Sequence, residues 1–272
     1  MRRIDCPDIR DDFLLAALAT SKSPGAQGLS PFEEPMLARY DAYAKHRGNP
    51  WSLDVDKSFL PYKKILMALY ESPPLVLSFI AGMRESLSGA CPVCGGEALG
   101  TLDHYLPKSS YAEYSFYSKN LIPSCSRCNT GRNNLVKGAV PGERPVHPYF
   151  DTFAGERVLT IKFEPDWRAP RLSPVACGVS GEDLITVQWH IDNVIKPAGI
   201  IRYLVGFWDA VISNARFYFC DAQNIEDLMR AAERNEKYEA LSSHSSNAWR
   251  SAFFHGLKSN IPALEYINSL IR

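Results

Sequence analysis

The sequence that decides the fold reads CPVC at 91–94, TLDHYLPK at 101–108 and CSRCN at 125–129. Each Cys-x-x-Cys pair makes a tight turn that presents both of its sulfurs to one point. Gly95 and Gly96 follow the first pair, where such a turn needs a positive φ. Because four thiolates suit one tetrahedral Zn²⁺ ion, the pattern predicts a structural zinc site formed by Cys91, Cys94, Cys125 and Cys128.

Asp103 and His104 lie between the two cysteine pairs. A histidine with a pKa of about 6.5 can take a proton from water at neutral pH. Because neighbouring side chains on a strand point to opposite faces, the Asp103 carboxylate can bind a hard cation while the His104 imidazole faces a substrate. The pair predicts a catalytic site that uses Mg²⁺ or Mn²⁺, although an Asp-His dipeptide alone is a weak signal.

Two asparagines follow the Asp-His pair. The side-chain amide of Asn120 can donate and accept hydrogen bonds across the loop that carries His104, and the alternative is an ordinary loop asparagine. The carbonyl oxygen of Asn129 suits Mg²⁺ as a second metal ligand. The alternative for Asn129 is a cap at the N-terminus of a helix.

Together these residues resemble the HNH nucleases, also called ββα-metal or His-Me finger nucleases, in the subgroup with zinc knuckles. In that family a strand ends in Asp-His, a loop carries an asparagine, and a helix carries the third motif residue. The nine-residue step from Asn120 to Asn129 is similar to that of the HNH domain in RNA-guided CRISPR nucleases. Arg132 stands where those nucleases carry a lysine, so we expect it to neutralise the substrate phosphate. The resemblance covers about residues 88–150.

The resemblance implies a metal-dependent endonuclease that hydrolyses DNA, most readily double-stranded DNA. His104 would be the general base, Asp103 and Asn129 would hold Mg²⁺ or Mn²⁺, and the products would carry 5′-phosphate and 3′-hydroxyl ends. Free-standing proteins of this kind resemble nuclease effectors of bacterial antiphage defence systems, often found beside an ATPase. The alternative from another class is a non-catalytic zinc-knuckle module that binds nucleic acid or a protein.

Composition limits the other function classes. The chain has 272 residues, of which 46% are hydrophobic and 22% charged, so it reads as globular rather than disordered. It has no run of about 18 apolar residues and no apolar leader, so we expect a cytoplasmic protein without a membrane span. Reduced cysteines there favour zinc over disulfides. The formal net charge is zero, so nucleic-acid affinity must come from local basic patches or from a partner.

The sequence predicts an α+β chain in three parts: an N-terminal helical region at 1–88, the ββα-metal core with zinc knuckles at 89–151, and a C-terminal α+β region at 152–272. In the last part we expect strands at 157–163 and 184–191 and mostly helix after 197. His147 either orients the substrate or braces the site. The flanking regions exceed what such a core needs, so we expect them to mediate self-association or to dock a regulatory protein such as an ATPase.

Overall fold

The computed structural model describes residues 1–21, 28–85, 88–96, 100–132 and 134–271. The chain is α+β, as the sequence predicts, with helices on both sides of two small hairpins. In chain order the elements are α1 Asp11–Ala19, α2 Glu33–Lys45, α3 Lys63–Glu71, α4 Phe79–Glu85, β1 Thr101–His104, β2 Leu121–Ser124, α5 Ser126–Arg132, β3 Leu159–Glu164, β4 Arg171–Ala176, α6 Gly181–His190, α7 Ile200–Ser213, α8 Ala215–Tyr218, α9 Ile225–Ser242, α10 Trp249–Leu257 and α11 Ile261–Ile271.

The first hairpin lies between the two cysteine pairs and leads into α5. Strands β1 and β2 are antiparallel, with Thr101 opposite Ser124 and His104 opposite Leu121. Nearly every residue of the two strands is buried, so both faces of the hairpin are covered by other parts of the chain. Such short strands are only marginally stable alone, so their position depends on those neighbours.

The helices that precede the first cysteine pair pack against this hairpin. The Tyr70 hydroxyl at the end of α3 donates a hydrogen bond to the Leu102 carbonyl of β1 over 3.3 Å. Asp11, at the start of α1, accepts hydrogen bonds from the backbone N–H and the hydroxyl of Ser118, at 2.9 and 2.6 Å. The N-terminal helices therefore form one wall around the Asp-His pair.

The second hairpin and the last helices form an aromatic core. Strands β3 and β4 are antiparallel, with Ile161 opposite Pro174, and α10 packs on β3. The Phe163 ring meets that of Phe253 edge-on at 5.0 Å between centroids, and Trp208 of α7 is buried beside both. Large aromatic side chains dominate the energetics of such cores.

The prediction of a strand at 184–191 is wrong, because these residues form most of α6 and continue into the π-helical turn Ile191–Ile195. Local β propensity is overridden by burial at helical spacing, since Val187, His190 and Ile191 all face inward. The sequence also left β4 unpredicted. That strand contains Pro174, which an edge strand tolerates because it lacks only an outward N–H.

Among the residues that the structure describes, no single helix is both long enough and apolar enough to cross a bilayer. The segments Lys57–Glu71 and Leu75–Glu85 reach the required length and composition only as a pair, bent by 73°.

Gly256 in α10 tests the packing of that helix on β3. A Cβ at this position would overlap the carbonyl oxygen of Ile161, whereas a Cβ at Gly206 of α7 would meet no described atom within 4 Å. We expect Gly256→Ala to lower the free energy of unfolding by about 3 kcal/mol or more. The matched variant Gly206→Ala should change it by no more than about 1 kcal/mol. Urea denaturation measures both, and equal stabilities would contradict this packing.

Candidate active site and metal centre

The four cysteines of the two pairs come together in one buried cluster. Their sulfur atoms all lie within 4.8 Å of one another, and the sulfurs of Cys94 and Cys125 are 3.8 Å apart. A disulfide would require about 2.05 Å. A tetrahedral zinc ion with Zn–S bonds of about 2.3 Å has S···S edges of about 3.8 Å. The cluster therefore has the dimensions of a closed structural zinc site.

Hydrogen bonds to the sulfurs support the same assignment. The N–H of Gly96 donates to Sγ of Cys94 at 3.3 Å, and the N–H of Cys125 donates to Sγ of Cys91 at 3.4 Å. Contacts with the other three thiols hold the pKa of Cys91 well below its usual value. Four buried thiols cannot all ionise without a compensating cation, so the donor set fits Zn²⁺.

The first cysteine turn is fixed by residues from distant parts of the chain. His190 donates from Nε2 to the Val93 carbonyl at 2.7 Å, and Trp249 donates from Nε1 to the Cys94 carbonyl at 2.7 Å. The Arg2 N–H donates to the Pro92 carbonyl at 3.0 Å. At Gly95, where φ is +79°, a Cβ would overlap the carbonyl oxygen of Asn247. The zinc cluster thus joins the hairpin to the C-terminal helices.

Asp103 and Arg132 form a buried ion pair beside this cluster. Nη2 and Nε of Arg132 lie 2.8 and 3.1 Å from the same Asp103 oxygen, Oδ2. Nη1 also donates to the Tyr105 carbonyl at 2.8 Å. Burial raises the pKa of Asp103, and the Arg132 charge opposes that shift. Arg132 was expected to contact substrate phosphate, but here it is buried and orients the metal-ligand candidate Asp103.

The ring of His104 has a defined tautomer. Its Nε2 lies 2.8 Å from the carbonyl oxygen of Ser115, and a carbonyl can only accept, so Nε2 carries the proton. In the neutral imidazole the lone pair is therefore on Nδ1. Burial lowers the pKa of His104 to about 3. The side chain is thus neutral at pH 7 and has one nitrogen able to accept a proton.

Cations and an aromatic ring surround His104. The Tyr70 ring meets the imidazole edge-on, with 4.4 Å between the ring centroids. Lys108 Nζ lies 4.7 Å from the centroid of the Tyr70 ring, and the Arg84 guanidinium carbon lies 5.6 Å from it. Lys108, Arg132 and Arg84 also lower the pKa of His104 through their charges. Sequence reasoning missed Tyr70 and Arg84, because they lie on helices before the motif and no local spacing relates them to His104.

Asn120 and His147 are buried and support the site through hydrogen bonds. Asn120 is fully buried and uses both ends of its amide: Oδ1 accepts from the Leu106 N–H at 2.7 Å, and Nδ2 donates to the Leu106 and Tyr114 carbonyls. The Tyr43 hydroxyl lies 3.1 Å from both Asn120 Oδ1 and His147 Nε2. Of the two roles considered for His147, its complete burial favours bracing over substrate contact.

Asn129 lies inside α5 rather than at its start, so the alternative that it caps this helix is wrong. Its backbone N–H bonds to the Cys125 carbonyl at 3.1 Å. The side chain is half-buried, and among the described residues its amide has no hydrogen-bond partner. Within the described ranges, Asn129 therefore offers an unpaired side-chain carbonyl oxygen on the same helix that places Arg132 beside Asp103.

Comparison with known proteins gives one partial relative. Neither a protein-family model nor a solved structure matches the chain. Protein ea31 of Escherichia phage lambda is 40% identical over 71 residues. The aligned part is 25% of this chain and 24% of ea31, so the chain spans about a quarter of the length of this curated relative.

The zinc assignment predicts a bound metal that is coupled to folding. Protein purified without chelator should contain about one zinc ion per chain by elemental analysis. Cys91→Ser should lose that zinc and unfold at much lower temperature, because metal affinity at such a site is folding free energy. Cys220→Ser, at an exposed cysteine outside the cluster, is the control and should retain both. Soluble, folded protein that lacks zinc would contradict the assignment.

Buried His147 predicts acid sensitivity. Burial holds its pKa well below the usual value, whereas in the unfolded chain it titrates near pH 6.5. Below about pH 6.5 the unfolded chain thus binds more protons than the folded chain, so the free energy of unfolding decreases as the pH is lowered. His147→Asn, whose amide oxygen can replace Nδ1 as acceptor, should reduce the slope of unfolding free energy by about 1 kcal/mol per pH unit below pH 6.5. Urea titrations at several pH values measure the slope; an unchanged slope would contradict the account.

Proposed function

We propose that this protein is a metal-dependent endonuclease of the HNH type that hydrolyses phosphodiester bonds in DNA. The observation that carries the proposal is the environment of His104. This residue ends the first strand of a hairpin that leads into a helix, and the Ser115 carbonyl fixes its Nε2 proton. A ring held in this way presents Nδ1 as a general base in a fixed orientation.

The charge around His104 suits a phosphodiester. Arg84 and Lys108 come from the N-terminal helices and from the loop after β1, and both lie over Tyr70 beside the imidazole. Glu71 partly compensates the Lys108 charge, with 2.9 Å between its Oε1 and Lys108 Nζ. An anionic phosphodiester between these cations would raise the pKa of His104 from its low value in the free protein, because an opposite charge favours the imidazolium. His104 would then accept a proton from the attacking water more readily.

Asp103 and Asn129 would hold the divalent cation, Mg²⁺ or Mn²⁺. Both offer oxygen ligands of the kind that these ions prefer. When bound, such an ion stabilises negative charge that develops on the phosphate and on the leaving oxygen. The Asp103–Arg132 pair has no net charge, and both guanidinium contacts go to Oδ2. We therefore expect weak metal affinity in the free protein and tighter binding when substrate phosphate adds its oxygens.

A role as an antiphage defence effector remains part of the proposal and rests on the family resemblance.

A non-catalytic zinc module is the second candidate, and a specific observation favours it. His104 is only 7% exposed, and Asp103 is already neutralised by Arg132. In this alternative the Asp-His pair would serve only to stabilise the hairpin, and nucleic acid or protein would bind elsewhere on the surface. The two candidates differ in whether the purified protein breaks phosphodiester bonds.

Plasmid nicking with Mg²⁺ or Mn²⁺ separates them. His104→Ala should reduce the rate at least about a hundredfold, because general base catalysis contributes that much or more, and the zinc content should stay unchanged. His46→Ala, at an exposed histidine after α2, is the matched control and should cut at the wild-type rate. A His104→Ala protein that cuts as fast as wild type would remove the catalytic role of this residue.

A further inference from the structure

A cationic groove lies beside α5 and at the start of α7. Arg127, Lys196 and Arg202 line it together with the backbone at Gly199. A Cβ on Gly199 would lie 3.7 Å from Arg127 Nη1, so the Arg127 guanidinium sits directly against the first residues of α7. The groove thus combines one residue of the candidate active-site helix with residues from the C-terminal part of the chain.

Much of the positive charge in this groove is not neutralised. Arg127 and Arg202 are exposed, and within the described ranges neither pairs with a carboxylate. Lys196 is partly compensated, because its Nζ lies 2.5 Å from Asp192. In a chain whose formal net charge is zero, two uncompensated arginines in one groove form a local site for anionic groups.

An aromatic cleft adjoins the groove. It has a volume of about 340 Å³, and its lining includes Tyr203, Tyr238, Trp249 and the ion pair of Arg250 with Glu239 at 3.6 Å. Tyr203 also lines the cationic groove, so the two depressions share one wall. Tyr238 is 68% exposed, and its ring is therefore available at the rim. Trp249 is buried and Tyr203 is half-buried, so Tyr238 is the exposed ring of the cleft. A cationic groove beside an exposed aromatic ring is typical of surfaces that bind unpaired nucleotides.

We infer that the groove and the cleft together bind a single strand of nucleic acid that extends from the active site. Its phosphates would contact Arg127 and Arg202, and an unpaired base would stack on Tyr238 in the cleft. A duplex fits less well, because its bases are already stacked and hydrogen-bonded and cannot enter the cleft. The inference rests on the proposed nuclease function, and it adds the part of the substrate that lies outside the cleavage site.

The geometry of α5 gives a path between the two places. Cys128 and Arg132 form the buried face of this helix, while Ser126, Arg127 and Thr130 are exposed. At about 100° per residue, Asn129 and Arg127 lie at opposite edges of that exposed face. A strand crossing the outer side of α5 would therefore pass from the Asn129 amide to the Arg127 guanidinium and then reach α7.

Fluorescence anisotropy with a labelled oligothymidine strand tests the inference. All proteins would carry His104→Ala, and no divalent ion would be added. The double variant Arg127→Ala/Arg202→Ala should lose about tenfold in affinity, and the slope of log K against log salt should become shallower by about 1.4, since each strand contact contributes about 0.7. Tyr238→Ala should lose about fivefold or more without a change in slope. Arg168→Ala/Arg171→Ala, which removes two exposed arginines near the β3–β4 hairpin, should bind like the parent.

Two comparisons make the result decisive. If the groove variants bind the strand like the parent, or if the parent prefers a duplex of equal length, the inference is overturned. Hydrolysis of bis(4-nitrophenyl) phosphate with Mn²⁺ by the His104-containing proteins tests the cleavage site separately, since this small diester has no strand that extends from the cleavage site into the groove. The groove variants should hydrolyse it at the wild-type rate. If the groove variants lose strand binding and none of the His104-containing proteins hydrolyses the diester, the result supports the groove and refutes the proposed nuclease.

Discussion

The cluster of four cysteine sulfurs is the constraint on which the rest of the structure depends. It joins the turn before β1 to the turn that begins α5, and the hairpin between them is too small to be stable alone. A metal at this cluster would fix where β1 ends and how α5 leaves the hairpin. Those two positions decide whether His104, Asp103 and Asn129 can share one site.

The regions on either side complete this core. Tyr70 and Arg84 from the N-terminal helices contact or approach His104, and His190 and Trp249 from the C-terminal helices hold the first cysteine turn. The N-terminal backbone also bonds to that turn through Arg2. Much of the flanking chain therefore supports the site, and only the remaining exposed surface is left for substrate or partners.

Local features of the fold could be predicted from sequence, and long-range ones could not. The cysteine spacing predicted the sulfur cluster because each turn is a local structure, and 157–163 corresponds to β3 at Leu159–Glu164. The strand at 184–191 failed because its β-branched residues have helical burial spacing in α6. Within the site, the Asp103–Arg132 pair and the approach of Tyr70 to His104 join residues from different elements. No spacing rule encodes such contacts.

Anomalous diffraction from crystals soaked with Mn²⁺ and a short uncleaved DNA tests the central claim most directly. The account predicts a zinc signal between the four sulfurs and a manganese signal that contacts both Asp103 and Asn129 beside His104. A zinc signal alone at saturating Mn²⁺, with DNA bound elsewhere, would contradict a catalytic site in this hairpin.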